Sequence, residues 1–376
     1  MRIRPLRAIL PIPEYIASTD SFFSTVKEDY NEYLDNGFFE QDLQGAIYVY
    51  QIRTPERSYT GLITKTDVED YLDGNIKKHE HTLPPKEQRQ LQLLLKRKAM
   101  VKPILLAYPD VFDLNQFINS VIEQEEPSLT IFLDDDHRHH LIWEIKDDRR
   151  IGWLQKQFAE QVPEAYIADG HHRCATTARL FMQAKKRGEE TAYSQLLCAF
   201  FPASELEILD FNRVIDCLAD CSPTYLMARF SQLFDIDPLS VARKPEEKHE
   251  LTLFINQEWY LLRWKAVILA AQSDQEVLFD ASLLDELVMR DILGIQDVRT
   301  DSRVEYVEGP KGLEGLRKKA LKSDTRIGFC LFPVQLDEMF TVARAGRVLP
   351  PKSTWFEPRL KNGIIVQDYR KTPPPS

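Results

Sequence analysis

YIADGHHRCATTARLF, residues 166–181, changes its period in the middle. Up to Asp169, EAYIA (164–168) is a short apolar run of strand character. Past Arg173, the apolar positions Cys174, Ala178, Phe181 and Met182 fall on one helical face with Ala175 beside them, and KKRG (185–188) closes the pattern. Asp169, Gly170, His171, His172 and Arg173 therefore occupy a strand-to-helix turn. Free backbone N–H groups and the positive end of the helix dipole face outward at such a turn, which makes it an anion site. Gly170 can adopt φ > 0 and admit a phosphate closely. Arg173 can grip phosphate oxygens with two parallel donors, and histidines add donors whose charge is tunable near neutral pH. Each residue alone has a plainer role: Asp169 as helix cap, the histidines as solvated side chains, Arg173 as the partner of an acid. A metal is the other alternative, since Asp and His are both ligands, but adjacent histidines rarely aim at one ion.

Working outward, DSFFSTVKEDYNEYLDNG (20–37) has helical spacing, with Asp20 as candidate N-cap and Gly37 as stop. AIYVYQI (46–52) and SYTGLIT (58–64) read as a hairpin. PPKEQRQLQLLLKRK (84–98) reads as a helix with Leu91, Leu94 and Leu95 on one face, and KPILLAY (102–108) as a buried strand. QLLCAFF (195–201) and LEILDFNRVI (206–215) are strand-like, and VIDCLADC (214–221) reads as helical. The character changes near 222, where helices and strands continue in mixed order to residue 370. The expected organisation is a domain over 1–221, a second α+β domain over 222–370, and a disordered tail, KTPPPS, over 371–376. Without strict βαβ alternation the class is α+β with a mixed sheet, not a doubly wound one.

The 376 residues exceed one ordinary core, and a hydrophobic fraction of 43% supplies material for more than one. The formal charge is −10 and the densest basic run is KRK (96–98), which argues against nucleic acid as the main partner. No stretch reaches the roughly 18 apolar residues of a membrane helix, and the N-terminus lacks a signal-peptide core, so a cytoplasmic protein is expected. Five scattered cysteines (Cys174, Cys198, Cys217, Cys221, Cys330) fit a reducing compartment. Cys217 and Cys221 read as buried small hydrophobes, because no second Cys/His pair has metal-finger spacing.

Two further stretches carry candidate chemistry. IKKHEHTLPPKEQRQ (76–90) sets Glu80 between His79 and His81, a carboxylate among histidines and cations that suits a general base. A charged loop entering a solvated helix is the plainer reading. LPPKSTWFEPRL (349–360) offers Lys352, Ser353 and Thr354 as a phosphate grip without P-loop glycines, or a rigid connector packed by Trp355 and Phe356. DDDHRHH (134–140) is rich in possible metal ligands but reads as an exposed hairpin tip. No nucleophile elbow, HExxH, Walker A or GxGxxG occurs, which removes support for the common hydrolase, zinc-protease and Rossmann readings.

GNIKKHEHTLPPKEQRQ, KPILLAY, YIADGHHRCATTA, ILDFNRVI and LPPKSTWFEPRLKNGII, in this order, resemble a widespread bacterial family, domain of unknown function 1015. The likeness spans most of the chain. Where family members carry a Pro-Pro-Tyr-Asp-like stretch near the N-terminus, this chain reads IASTDSFF (16–23). The DGHHR turn is in turn similar to the phosphate turn of the ParB/sulfiredoxin superfamily. That group includes CTP-binding partition proteins, ATP-using sulfiredoxins and free-serine kinases, in which an upstream glutamate acts as base on the serine hydroxyl. The resemblance implies a mixed-sheet, ParB/sulfiredoxin-like nucleotide-binding core. It implies a phosphate turn of Asp169, Gly170, His171, His172 and Arg173, with Glu80 as base. The expected catalytic residues are then Glu80, His172 and Asp169. Lys352, Ser353 and Thr354 would add to phosphate binding, and His79 and His81 to substrate binding. Mg²⁺ and a nucleotide, ATP or ADP, are the expected cofactors, and a small-molecule phosphate ligand the expected partner. The expected activity is phosphoryl transfer, as kinase or phosphatase, on a small hydroxylated metabolite, serine or phosphoserine first. The alternatives are a ParB-like, nucleotide-responsive DNA-binding or scaffolding protein and a metal-dependent hydrolase using the histidines.

Overall fold

The computed structural model describes residues 1–189, 193–272 and 276–370. The tail 371–376, expected to be disordered, lies outside the described residues. The fold is mixed α+β, and the chain divides into two compact units. One runs from Met1 to Glu207 and takes back the chain from Pro358 onward; the other is Ile208–Glu357. The first unit thus stops before residue 221, and 358–370 belongs with it. Hydrogen bonding explains the return: Gly363 donates its N–H to the Val101 carbonyl, and Gln367–Asp368 pairs with Ala99–Met100.

The first unit is built on a sheet of nine strands: β1 (Ile3–Arg4), β2 (Ile47–Arg53), β3 (Ser58–Asp67), β4 (Ile76–Lys77), β5 (Ile104–Tyr108), β6 (Leu129–Leu133), β7 (Arg138–Ile145), β8 (Ala165–Asp169) and β9 (Gln195–Pro202). Their order is β4-β8-β5-β9-β3-β2-β7-β6, with β1 added along β3. β4 with β8 and β5 with β9 are parallel; the other pairs are antiparallel. Every residue of β5 is buried, as its unbroken apolar run requires of an inner strand. Gly61 on β3 is a close-approach glycine, since a Cβ there would stand 2.5 Å from the Phe200 carbonyl oxygen on β9.

The longer helices of the unit are α1 (Thr19–Asp35), α2 (Pro84–Arg97), α3 (Phe112–Gln124), α4 (Asp148–Gln161) and α5 (His171–Lys185). Ser18, not Asp20, caps α1, accepting from the Ser21 N–H, while the Asp20 carboxylate accepts from the Asp134 and Asp135 N–H groups. On α2 the buried face is Leu93, Leu94 and Arg97; Leu95 is exposed. The turn of DDDHRHH covers only residues 134–137, and His140 lies fully buried inside β7, its Nδ1 2.6 Å from the Tyr50 hydroxyl.

The second unit is built on a six-stranded sheet of β10 (Phe211–Asp216), β11 (Phe234–Leu239), β12 (Glu250–Ile255), β13 (Glu258–Trp264), β14 (Val304–Glu308) and β15 (Arg326–Leu331), in the order β11-β13-β12-β15-β10-β14. Neighbouring residues of a strand serve opposite faces. Ile215, Leu253 and Phe329 join one core, while Val214, Phe254 and Cys330 pack with Leu316 and Ala320 of the helix Gly312–Ala320. VIDCLADC is the end of β10 followed by a turn, not a helix. All five cysteines are free, four buried and Cys221 half-buried. Among the described residues no helix is long and apolar enough to cross a membrane.

Candidate functional site

β8 ends at Asp169, Gly170 turns with φ +113°, and α5 begins at His171, as the change of period requires. No side chain caps α5, so its first-turn N–H groups are left for water or a ligand. A Cβ at Gly170 would meet the Arg173 guanidinium at 2.8 Å, so the glycine serves both the backbone and the arginine.

Asp169 is the hub of an ion network. Its carboxylate lies 2.9 Å from Lys102 Nζ, 3.0 Å from Arg173 Nη2 and 3.6 Å from Arg359 Nη1. Burial opposes its charge, but Lys102, Arg173 and Arg359 outweigh burial and hold the group well below the usual carboxylate range. A carboxylate so occupied orients cations; it is not available as a proton acceptor for a substrate.

The two histidines part company. His171 is buried, and its Nε2 accepts from the His79 N–H at 3.5 Å. The proton of the neutral ring is then on Nδ1, 3.7 Å from Glu80 Oε2, an electrostatic contact longer than a hydrogen bond. Burial, then the neighbouring His79, push His171 well below the ordinary histidine range. His172 is half-buried and its Nε2 accepts from the Leu83 N–H at 3.0 Å, which ties the turn to the start of α2. Glu80 is exposed at its side chain, and His81 is exposed. His79 is buried, with its ring centroid 4.6 Å from that of His171. That burial does not suit the substrate contact expected of it; His79 supports His171 instead.

Lys352, Ser353 and Thr354 lie in the second unit. Lys352 Nζ stands 5.1 Å from the Phe211 ring centroid, and Ser353 is buried with its hydroxyl donated to the Pro350 carbonyl at 2.7 Å. A hydroxyl so committed forms a turn rather than the expected phosphate grip.

Beside the turn the first unit has a cavity of ≈ 160 Å³. Arg173, Thr176 and Thr177 line it from α5, Lys27 from α1, Arg97 from α2, and Lys102 from the approach to β5. No carboxylate is among the described lining residues. Arg173 Nε is buried there without a hydrogen-bond partner among the described residues. Lys27, Arg97, Lys102 and Arg359 were not among the residues expected from sequence. The available signals were the KRK run, and the positions of Lys102 and Arg359 within two of the stretches that carry the family resemblance. No group of three or more His, Cys, Asp or Glu side chains among the described residues is arranged to hold a metal.

Three buried histidines set a pH response. Burial lowers His79 to about 4 and His140 to about 3, and His171 is lowered as well. In the unfolded chain each titrates near ~6.5. The unfolded state therefore binds more protons below that pH, and stability falls as pH drops from about 6.5 toward the folded values, by about 1.4 kcal/mol per pH unit for each histidine. Urea melts across that window should show the slope, and His79→Gln should remove one histidine's share. A flat profile would contradict the buried neutral rings.

The chain belongs to the family described as protein of unknown function (DUF1015), whose model matches residues 6–287. No curated protein matches the sequence. Among solved structures, a free serine kinase variant in complex with AMP is similar at 13% identity and TM-score 0.39, covering 78% of this chain and 87% of that one. SbnI with a C-terminal truncation, from Staphylococcus aureus, is similar at 11% identity and TM-score 0.43, covering 80% and 85%. A conserved hypothetical protein from Pyrococcus furiosus is similar at 15% identity and TM-score 0.37, covering 81% and 95%.

Proposed function

We propose that this DUF1015 chain is a phosphoryl-transfer enzyme for a small hydroxylated metabolite, serine or phosphoserine first. The observation that carries the reading is the cavity beside α5, lined by Arg173, Lys102, Arg97 and Lys27 with no carboxylate among the described lining residues. Such a wall selects a multiply charged anion. The start of α5, where Gly170 offers no side-chain cap, has N–H donors at the turn that carries Arg173.

In this reading Arg173, aimed by Asp169, and Lys102 take up the negative charge of the phosphoryl group. Glu80 stands beside the Nδ1–H of His171 and serves as base. The metabolite's O–H bond breaks, its proton passes to Glu80, the oxygen bonds to phosphorus, and the bond from phosphorus to the nucleotide leaving group breaks. With water as acceptor and a phosphate ester as donor, the same groups perform hydrolysis. Positioning and charge neutralisation do most of the work in this chemistry. A protein-held Mg²⁺ is not fitted by these residues, since Asp169 is taken by three cations, and no step here runs through one.

The test mixes purified protein with ATP, ADP, CTP or pyrophosphate, with serine or phosphoserine, and follows phosphorylated products. The expected result is transfer in at least one combination, abolished in Arg173→Gln protein that keeps its circular-dichroism spectrum. Normal turnover by Arg173→Gln would overturn the reading. So would the absence of any phosphate product in all combinations.

A further inference from the structure

The cations of the cavity fall into two sets that differ in how their charge is met. Lys102 and Arg173 share Asp169. Arg97 and Lys27 share nothing comparable: among the described residues neither forms an ion pair. Arg97 is 5% exposed on α2. Its Nε donates to the Leu93 carbonyl at 3.1 Å and its Nη1 to the Lys27 carbonyl at 2.8 Å, so its partners are neutral. The acid nearest in sequence to Lys27 is Glu28, which pairs with Arg89 at 3.4 Å on the surface. A buried guanidinium without an anion is costly, because desolvation is not offset by a counter-charge. Burial pushes Arg97 down to about 10 and, followed by Arg89, lowers Lys27; Glu28 opposes both shifts without cancelling either.

The backbone carbonyls fix the orientation of Arg97 and, among the described residues, Nη2 has no hydrogen-bond partner, on a residue that lines the cavity. Lys27 stands on the same wall, as do the Thr176 and Thr177 side chains. Thr177 donates its hydroxyl to the Arg173 carbonyl, which leaves its oxygen lone pairs but no proton for an anion. The Thr176 hydroxyl likewise donates to the Glu87 carbonyl, and Gln90 and Asn362 line the wall with neutral amides, so the charge that opposes an anion comes from the cations.

We infer that Arg97 and Lys27 form a second oxyanion subsite of this cavity, so that its ligand carries two anionic groups, one on Arg173 and Lys102 and the other on Arg97 and Lys27. The inference rests on the phosphoryl-transfer reading and narrows its ligand. The second group is either another phosphate or a carboxylate, and the probes separate the two.

The experiment measures binding of orthophosphate, pyrophosphate and phosphoserine to the full chain by calorimetry and thermal shift. Wild type is compared with Arg97→Gln, Lys27→Gln and Arg173→Gln. Wild type should bind pyrophosphate or phosphoserine at least about tenfold more tightly than orthophosphate. Preference for pyrophosphate identifies a second phosphate, and preference for phosphoserine identifies a carboxylate. Arg97→Gln and Lys27→Gln should each erase the preference while orthophosphate still binds; Arg173→Gln should weaken all three probes. Lys27 is only half-buried, so its variant keeps the test sound if Arg97→Gln fails to fold. A preference that survives Lys27→Gln and any folded Arg97→Gln protein overturns the subsite and leaves the DGHHR reading intact. Loss of the preference in those variants with full binding by Arg173→Gln does the reverse. Failure of wild type to discriminate, or to bind at all, overturns the subsite outright.

Discussion

Asp169→Ala should lower the stability of the first unit by about 2–4 kcal/mol at neutral pH, somewhat below the ~3–5 kcal/mol of breaking a fully buried pair. The discount reflects side chains that are still partly wet: Asp169 is 23% exposed, Lys102 17%, Arg173 18% and Arg359 35%. Removing the carboxylate leaves three cations facing one another with burial unchanged. The effect has a pH signature. Asp169 is held well below the ordinary carboxylate value, so its contribution is complete above the unfolded value of about 3.9 and is lost as pH falls toward the folded one. Wild type and variant melts should therefore converge in strong acid and separate above about pH 4. The histidine response lies mainly above that window and should be shared by both proteins. A variant as stable as wild type at neutral pH would mean that the network is not what holds the turn. Added phosphate should recover more stability in Asp169→Ala than in wild type, because a bound anion then replaces the missing charge.

The turn itself was legible because three signals agree there. An apolar run stops, a helical period starts, and a glycine stands where φ is positive. β5 was legible because an inner strand reads as an unbroken apolar run. Other features depend on contacts distant in sequence. Arg97 sits on the buried face of α2 because the Lys27 carbonyl, 70 residues away, accepts from it; leucine spacing cannot report that. Lys102 meets Asp169 because β5 pairs with β8, and Arg359 meets it only because the chain returns to the first unit after Glu357. VIDCLADC shows two cysteines at helical spacing, yet Val214 and Ile215 take opposite faces of β10 and the chain turns after Asp216. His171 and His172 were legible as chemistry but not as burial, since a histidine pair in sequence does not reveal which ring packing will cover. The division of labour within DGHHR thus came from packing: the aspartate orients, one histidine is buried support, the other ties down α2, and the arginine faces the cavity.

That division makes Glu80→Gln the sharpest test of the chemistry. The amide keeps the size and hydrogen-bonding reach of the carboxylate but cannot take a proton, so kcat should fall by about 10²–10⁴ with KM nearly unchanged. Glu80 lies outside the cavity lining, and its contact is to His171, so ligand binding should survive the change. His171→Asn acts on the same step at one remove. It removes the Nδ1–H beside Glu80 and the acceptor for the His79 N–H, and should lower kcat less than Glu80→Gln does. A double variant should then be no worse than Glu80→Gln alone, because a positioning residue has nothing left to position. If the two losses add instead, His171 has its own role at the reacting atoms. If Glu80→Gln turns over like wild type, the base is another group, and the HEHT loop has no part in the proton transfer.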